Sequence, residues 1–293
     1  MTRTTRNTLL ITALFIGIYI VLRNLPSVKC EVLHYEVTKT TEQGIEMCAD
    51  GPSGMIDLEK VSFPGVFDLM SPTELVQGET YEGIFTIGGP RGGTILPHEL
   101  AITHTERIHL LVVHESLEDY HHLHPTPSSN LGQWTFEFEP SLTGAYNIYV
   151  ETVPIRTKKQ LMLHQSINVL PAADSLKQQS QNSVTNTHLE WNFYDEKLRK
   201  RSWIDFEIKL THPEGEALKL EKVMDAYSHV VAFSENVVGY AHIHPLEEDN
   251  APDPVSPTFQ FRFFSGESGN YRLWAQFQIE GKPVFKSYDF VIP

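Results

Sequence analysis

The sequence predicts an all-β protein: two tandem β-sandwich domains behind an N-terminal transmembrane helix. Three observations carry this. Aromatic and β-branched residues alternate with polar ones in several short runs, the signature of half-buried strands. One stretch of the chain repeats another at a fixed offset of 120 residues. A single long apolar run stands at the N-terminus.

In chain order, Arg3 and Arg6 precede the run Leu9 to Leu22. A positive segment followed by an apolar one is an export or anchor signal. The strict run falls short of the roughly 20 residues that span a bilayer, and extension to Leu25 brings it close, with Arg23 snorkelling. No small-residue cleavage site follows, and Lys29 before Cys30 argues against lipoprotein processing. Residues 1–25 are therefore expected to be an uncleaved signal anchor, with a cleaved signal peptide as the alternative. Basic residues at the start place the N-terminus inside. The expected location is the bacterial inner membrane, single-pass, with the bulk of the chain in the periplasm; a secreted periplasmic protein is the alternative.

Residues 26–70 have no repeat counterpart and are expected to form an irregular β extension. They hold both cysteines, Cys30 and Cys48. In an oxidising compartment a pair is the count for one disulfide. A reduced thiol metal site with His34 and Met47 is the other reading.

The body is the repeat. The segment His109–Pro125 aligns with His229–Pro245 at an offset of 120, with identities at His109/His229, Glu115/Glu235, Tyr120/Tyr240, His122/His242, His124/His244 and Pro125/Pro245. The match resumes at an offset of 125, where Phe136, Phe138, Gly144 and Tyr146 fall on Phe261, Phe263, Gly269 and Tyr271. The shift accommodates a Pro-rich insertion near Asn250–Pro254. Trp134–Glu139, Thr258–Phe263 and Tyr271–Phe277 alternate as half-buried strands, while Leu110–Val113 and Val230–Phe233 are unbroken apolar runs of core strands. Repeat 1 covers 71–170, repeat 2 covers 188–293, and the Gln- and Ser-rich residues 171–187 are a linker. Each repeat is expected to be one sandwich of about 100 residues.

The chain has 293 residues, with 37 acidic against 23 basic and a net charge of −14, which disfavours nucleic acid as a partner. No nucleophile elbow, phosphate-binding glycine loop or H-E-x-x-H motif is present. The chemistry rests instead on histidine. On a strand, residues i and i+2 share a face, so His122 projects with His124 and His242 with His244. His109 and His229 on the preceding strand supply a cross-strand third ligand, and His104 is a further candidate in repeat 1. Its counterpart is Met224, a soft donor that favours copper over zinc. The competing reading of these histidines is structural bracing through both ring nitrogens.

The pattern His104, His109-Leu-Leu-Val-Val, Tyr120-His-His-Leu-His-Pro125 and then Gly144 and Tyr146 resembles exported bacterial cupredoxin-like or immunoglobulin-like domains associated with copper handling. The resemblance spans about 75–170 and 190–293 and implies immunoglobulin-like/cupredoxin-like sandwiches that bind a copper ion. Copy two lacks the upstream His, so its site is expected to bind more weakly. Neither repeat contains Cys, which argues against a blue-copper centre. A fainter similarity is to two-domain copper monooxygenases.

Three functions compete. The first is a membrane-anchored, periplasm-facing copper-binding protein for sequestration or delivery to a copper-accepting protein. The second is a non-catalytic accessory subunit of a larger membrane protein complex, docked by its single helix. The third, ranked last, is a copper-dependent monooxygenase.

Overall fold

The computed structural model describes residues 3–23, 35, 37–48, 53–70, 74–172, 187–224, 226–246 and 252–293. It divides into two units, residues 1–31 and 32–293.

The first unit is one helix, α1 (Arg3–Arg23), of 21 residues. At about 1.5 Å per residue it is roughly 30 Å long, the thickness of a bilayer's hydrocarbon core. Its apolar side chains from Leu9 to Val21 are exposed. It is long and apolar enough to cross a membrane, which is compatible with an N-terminal anchor.

The second unit is built of strands. They are β1 (Val37–Thr41), β2 (Gly44–Cys48), β3 (Ile56–Asp57), β4 (Val66–Leu69), β5 (Glu74–Val76), β6 (Tyr81–Gly88), β7 (Ile108–His114), β8 (Tyr120–Leu123), β9 (Thr126–Pro127), β10 (Gln133–Phe138), β11 (Gly144–Thr152) and β12 (Leu161–Leu170). After the linker come β13 (His188–Phe193), β14 (Trp203–Thr211), β15 (Leu220–Glu221), β16 (His229–Ser234), β17 (Gly239–Ile243), β18 (Thr258–Phe264), β19 (Gly269–Ile279) and β20 (Lys282–Ile292).

Two immunoglobulin-like sandwiches result. The first packs sheet β4-β6-β10-β9 on sheet β5-β12-β11-β7-β8; the second packs β13-β14-β18 on β15-β19-β16-β17-β3, with β20 beside β19. Alternation decides which residues enter each core. In β6 every second residue from Tyr81 is buried, and in β18 Phe259, Phe261 and Phe263 are. Each sandwich also carries the hydrogen-bonded tyrosine that pins a Greek-key corner. Tyr146 Oη donates to the Asp119 carboxylate, and Tyr271 Oη donates to the Glu267 carbonyl at 2.7 Å.

The segment expected as an irregular extension is divided between the sandwiches. β4 joins the first, ahead of the expected boundary at 71, while β3 adds an edge strand to the second beside β17. β1 and β2 form a hairpin that ends at Cys48. The expected Cys30–Cys48 disulfide involves Cys30, which lies outside the described residues.

The sandwiches also pack on each other. In β7, Leu110 and Val112 point into the first core, whereas Leu111 and Val113 point the other way. In β16, Val230 and Ala232 enter the second core, and Val231 and Phe233 face outward from it. Those outward residues meet Tyr120, Tyr149, Tyr240 and Trp274 in a third cluster. The unbroken apolar runs are thus strands buried on both faces. Tyr120 stacks on Trp274 across this seam at 5.8 Å.

Candidate metal centre

The histidines lie at one end of the seam. β7 pairs with β8 so that Leu111 faces His122, and β16 pairs with β17 so that Val231 faces His242. Continuing each register by two residues sets His109 opposite His124 and His229 opposite His244. Period two keeps all six on the seam face. The ligand-capable atoms of His109, His122 and His124 lie within 4.8 Å of one another, and so do those of His229, His242 and His244.

The two triads adjoin. His122 and His242 have ring centroids 5.1 Å apart, His109 and His242 5.4 Å, and His122 and His229 6.1 Å. Within the triads the separations run from 4.7 Å (His242–His244) to 5.8 Å (His229–His242). His104, expected beside the triad of its own repeat, stands with the other one. Its ring is 3.8 Å from His244 and 6.3 Å from His109. The reason given for a weaker second site, the lack of an upstream histidine, therefore does not hold in three dimensions.

Hydrogen bonds set the tautomers. A carbonyl oxygen only accepts, so His109 Nε2–H donates to the Thr103 carbonyl at 2.9 Å, leaving the Nδ1 lone pair free. His122 Nδ1–H donates to Gln276 Oε1 at 3.1 Å, leaving Nε2. These two nitrogens face each other at 3.4 Å. With both protons committed elsewhere, the contact sets lone pair against lone pair. In repeat 2, His242 Nδ1–H donates to Glu151 Oε2 at 3.3 Å, leaving its Nε2. His124 Nε2, His242 Nε2, His244 Nε2 and both nitrogens of His229 are buried with no hydrogen-bond partner. Buried polar atoms are seldom left so.

The surroundings of six of the seven rings, His104, His109, His122, His124, His229 and His244, favour the neutral form. Burial pushes His104 and His124 down to about 3 and His109 down to about 4, with repulsion from neighbouring histidines adding to it. Burial likewise holds His122, His229 and His244 well below 6.5. Neutral imidazole is the metal-binding form.

Glu151 is the buried acid at this site. Burial alone would raise its carboxyl, but the hydrogen bonds it accepts from His242 and Tyr240 act against that and it is held low. His242 donates to Oε2, as does Tyr240 Oη at 2.9 Å, and Gln160 Nε2 donates to Oε1 at 2.7 Å. Glu151, Gln276, Tyr240 and Thr103 were not foreseen as part of a site. The signal for two of them was present: Glu151 and Gln276 correspond under the offset of 125, each a polar residue in a largely apolar strand.

The other described histidines lie apart from the cluster. His114 bonds Ser116 and the Thr143 carbonyl, and His121 pairs with Asp119 at 3.1 Å. His98, His164 and His188 are exposed. The donor set at the seam, imidazoles with uncommitted lone pairs, fits a copper ion.

No curated protein matches the chain. Among solved structures, the Escherichia coli adhesin FdeC is 10% identical; the match covers 83% of this chain and 66% of that one, with a TM-score of 0.25. Fibronectin(III)-like modules of Clostridium thermocellum CbhA are 9% identical, with 78% and 94% covered and a TM-score of 0.22. A D1–D4 ectodomain fragment of ICAM-5 is 11% identical, with 86% and 52% covered and a TM-score of 0.26. Likeness this low leaves the fold to be argued from the strands themselves. A family model described as a domain of unknown function, DUF8832, matches residues 182–292, the second sandwich.

Proposed function

We propose that the chain is a membrane-anchored copper-binding protein that sequesters or delivers the ion in the periplasm. One observation carries this: buried imidazole lone pairs converge with no proton or donor to satisfy them. The contact between His109 Nδ1 and His122 Nε2 is repulsive without a shared cation and favourable with one. Histidines kept as structural braces would instead use both nitrogens in hydrogen bonds, and His229 uses neither. Imidazole serves several divalent metals, and the Irving–Williams order puts Cu(II) above the rest. Burial of the donors within the seam suits holding an ion rather than exchanging substrates. α1 supplies the tether.

The test is metal analysis of the full chain purified in detergent, followed by copper titration. Copper retained through dialysis, and lost from the quadruple variant H122A/H124A/H242A/H244A, supports the reading. A wild-type chain that binds no copper overturns it. The cluster would then be a brace, and the accessory-subunit reading would take its place.

A further inference from the structure

We infer that the two triads are halves of one dinuclear copper(I) centre spanning the seam, each half oriented by a residue of the opposite repeat. This rests on the copper reading above and goes further, because copper binding by itself requires neither two ions nor any dependence of one sandwich on the other.

Three observations lead here. The first is the number of donors. Seven imidazoles gather at the seam, whereas one copper or zinc ion takes about four ligands at most in such sites. Two triads, with His104 against the second, divide naturally between two ions. The second is spacing. Rings of different triads, such as His122 and His242 at 5.1 Å, are as close as rings of the same triad, such as His122 and His124 at 5.0 Å. Ions held by the two triads are therefore neighbours.

The third is the crossing of supports. Glu151 belongs to repeat 1 but accepts from His242 of repeat 2. Gln276 belongs to repeat 2 but accepts from His122 of repeat 1. Outer hydrogen bonds of this kind fix a ligand's tautomer and raise its basicity. Each half is completed only when the sandwiches are docked.

Charge selects the oxidation state. Imidazole ligates a metal as a neutral ring, and Glu151 is the acid hydrogen-bonded to the cluster, through His242. Two Cu(I) ions with one carboxylate leave a single net positive charge; two Cu(II) ions leave three. Uncompensated charge in a buried site is costly, so the reduced pair is favoured.

The experiment uses the full chain in detergent under anaerobic conditions, titrated with Cu(I) against a competing chromophoric chelator. The wild type should take up about two equivalents, and H122A/H124A and H242A/H244A about one each. Glu151 and Gln276 are positioning residues, and their effects should cross. In the H122A/H124A background, E151Q should weaken the remaining ion about 10- to 100-fold. In the H242A/H244A background, Q276A should weaken the remaining ion, whereas Q276E should tighten it. Circular dichroism and melting temperature at pH 7.5 exclude unfolding as the cause. A wild type that binds one equivalent overturns the dinuclear centre but leaves copper binding intact. So do positioning variants that fold normally and leave affinity unchanged. No binding at all overturns both readings.

Discussion

Glu151 and Gln276 hold equivalent positions in the two repeats, and each hydrogen-bonds a histidine of the other sandwich. The same exchange recurs one alternation along the same strands. Tyr149 Oη donates to the Val237 carbonyl, and Trp274 Nε1 donates to the Leu117 carbonyl at 3.0 Å. Leu117 and Val237 both sit in turns with positive φ, 63° and 52°. The seam is thus pseudo-symmetric, apolar toward these turns and histidine-rich toward the other end. Expected outcomes follow for its chemistry and for the frame that holds it.

The copper-free protein should lose stability in mild acid. Six histidines of the cluster have folded-state pKa values below the 6.5 of a free imidazole, with three of them near 3 to 4. The unfolded chain therefore takes up protons first as pH falls. Their stabilisation is complete above about pH 6.5 and is lost as pH drops toward the folded values, at up to about 1.4 kcal/mol per group per pH unit. Urea unfolding between pH 7.5 and 5 should show a steep fall in midpoint. Copper loading should move that fall to lower pH, since ligation competes with protonation. A flat profile for the copper-free chain would contradict the buried, neutral cluster.

Tyr149→Phe should loosen the seam. It strands the buried Val237 carbonyl, at a cost of about 1–3 kcal/mol. Trp274→Phe should cost more, because it also leaves a cavity beside Tyr120. Denaturant titration with both far-ultraviolet and tryptophan signals would detect the seam opening before the sandwiches unfold.

Asp119→Asn should destabilise the first sandwich by about 1–3 kcal/mol. Through Oδ2 the carboxylate accepts from Tyr146 Oη and from the Ser141 amide at 2.7 Å, and its Oδ1 lies 3.1 Å from His121 Nε2. An amide replaces one of these two oxygens with a donor. A melting temperature within a degree of wild type would show that this corner does not hold the loop.

Gly239→Ala should detach β3. A Cβ at 239 would lie 1.7 Å from the Ile56 carbonyl oxygen. That contact is backbone, so no side chain can rotate away. Limited proteolysis should cut the variant near Ile56 faster than wild type, with the His cluster's copper load unchanged.

Deleting residues 1–25 should release the remaining chain into the aqueous phase. The apolar helix goes, and an acidic β unit remains. Partitioning of the truncated chain with lipid vesicles would show a second membrane contact.

Much of this protein was legible in one dimension because its determinants are local or repetitive. Period-two runs such as Trp134–Glu139 force a strand with one apolar face, so the sandwiches follow from spacing. The offset of 120 marked His109, His122 and His124 with their counterparts, because an i, i+2 pair on a strand shares a face wherever the strand lies. α1 follows from length and hydropathy alone.

Only the tertiary structure decided how the repeats meet. Leu111 and Val113 alternate with Leu110 and Val112, so both faces of β7 are apolar, and the same holds for β16. That pattern signals burial on two sides without naming the partner. Docking these faces against each other brings two triads into one cluster, carries His104 to His244 and crosses Glu151 and Gln276 to the opposite histidines. The sequence separation of Glu151 and His242 is 91 residues, and no periodicity reaches that far. Contacts of that range are set by which apolar faces exclude water together, and that depends on the whole folded chain.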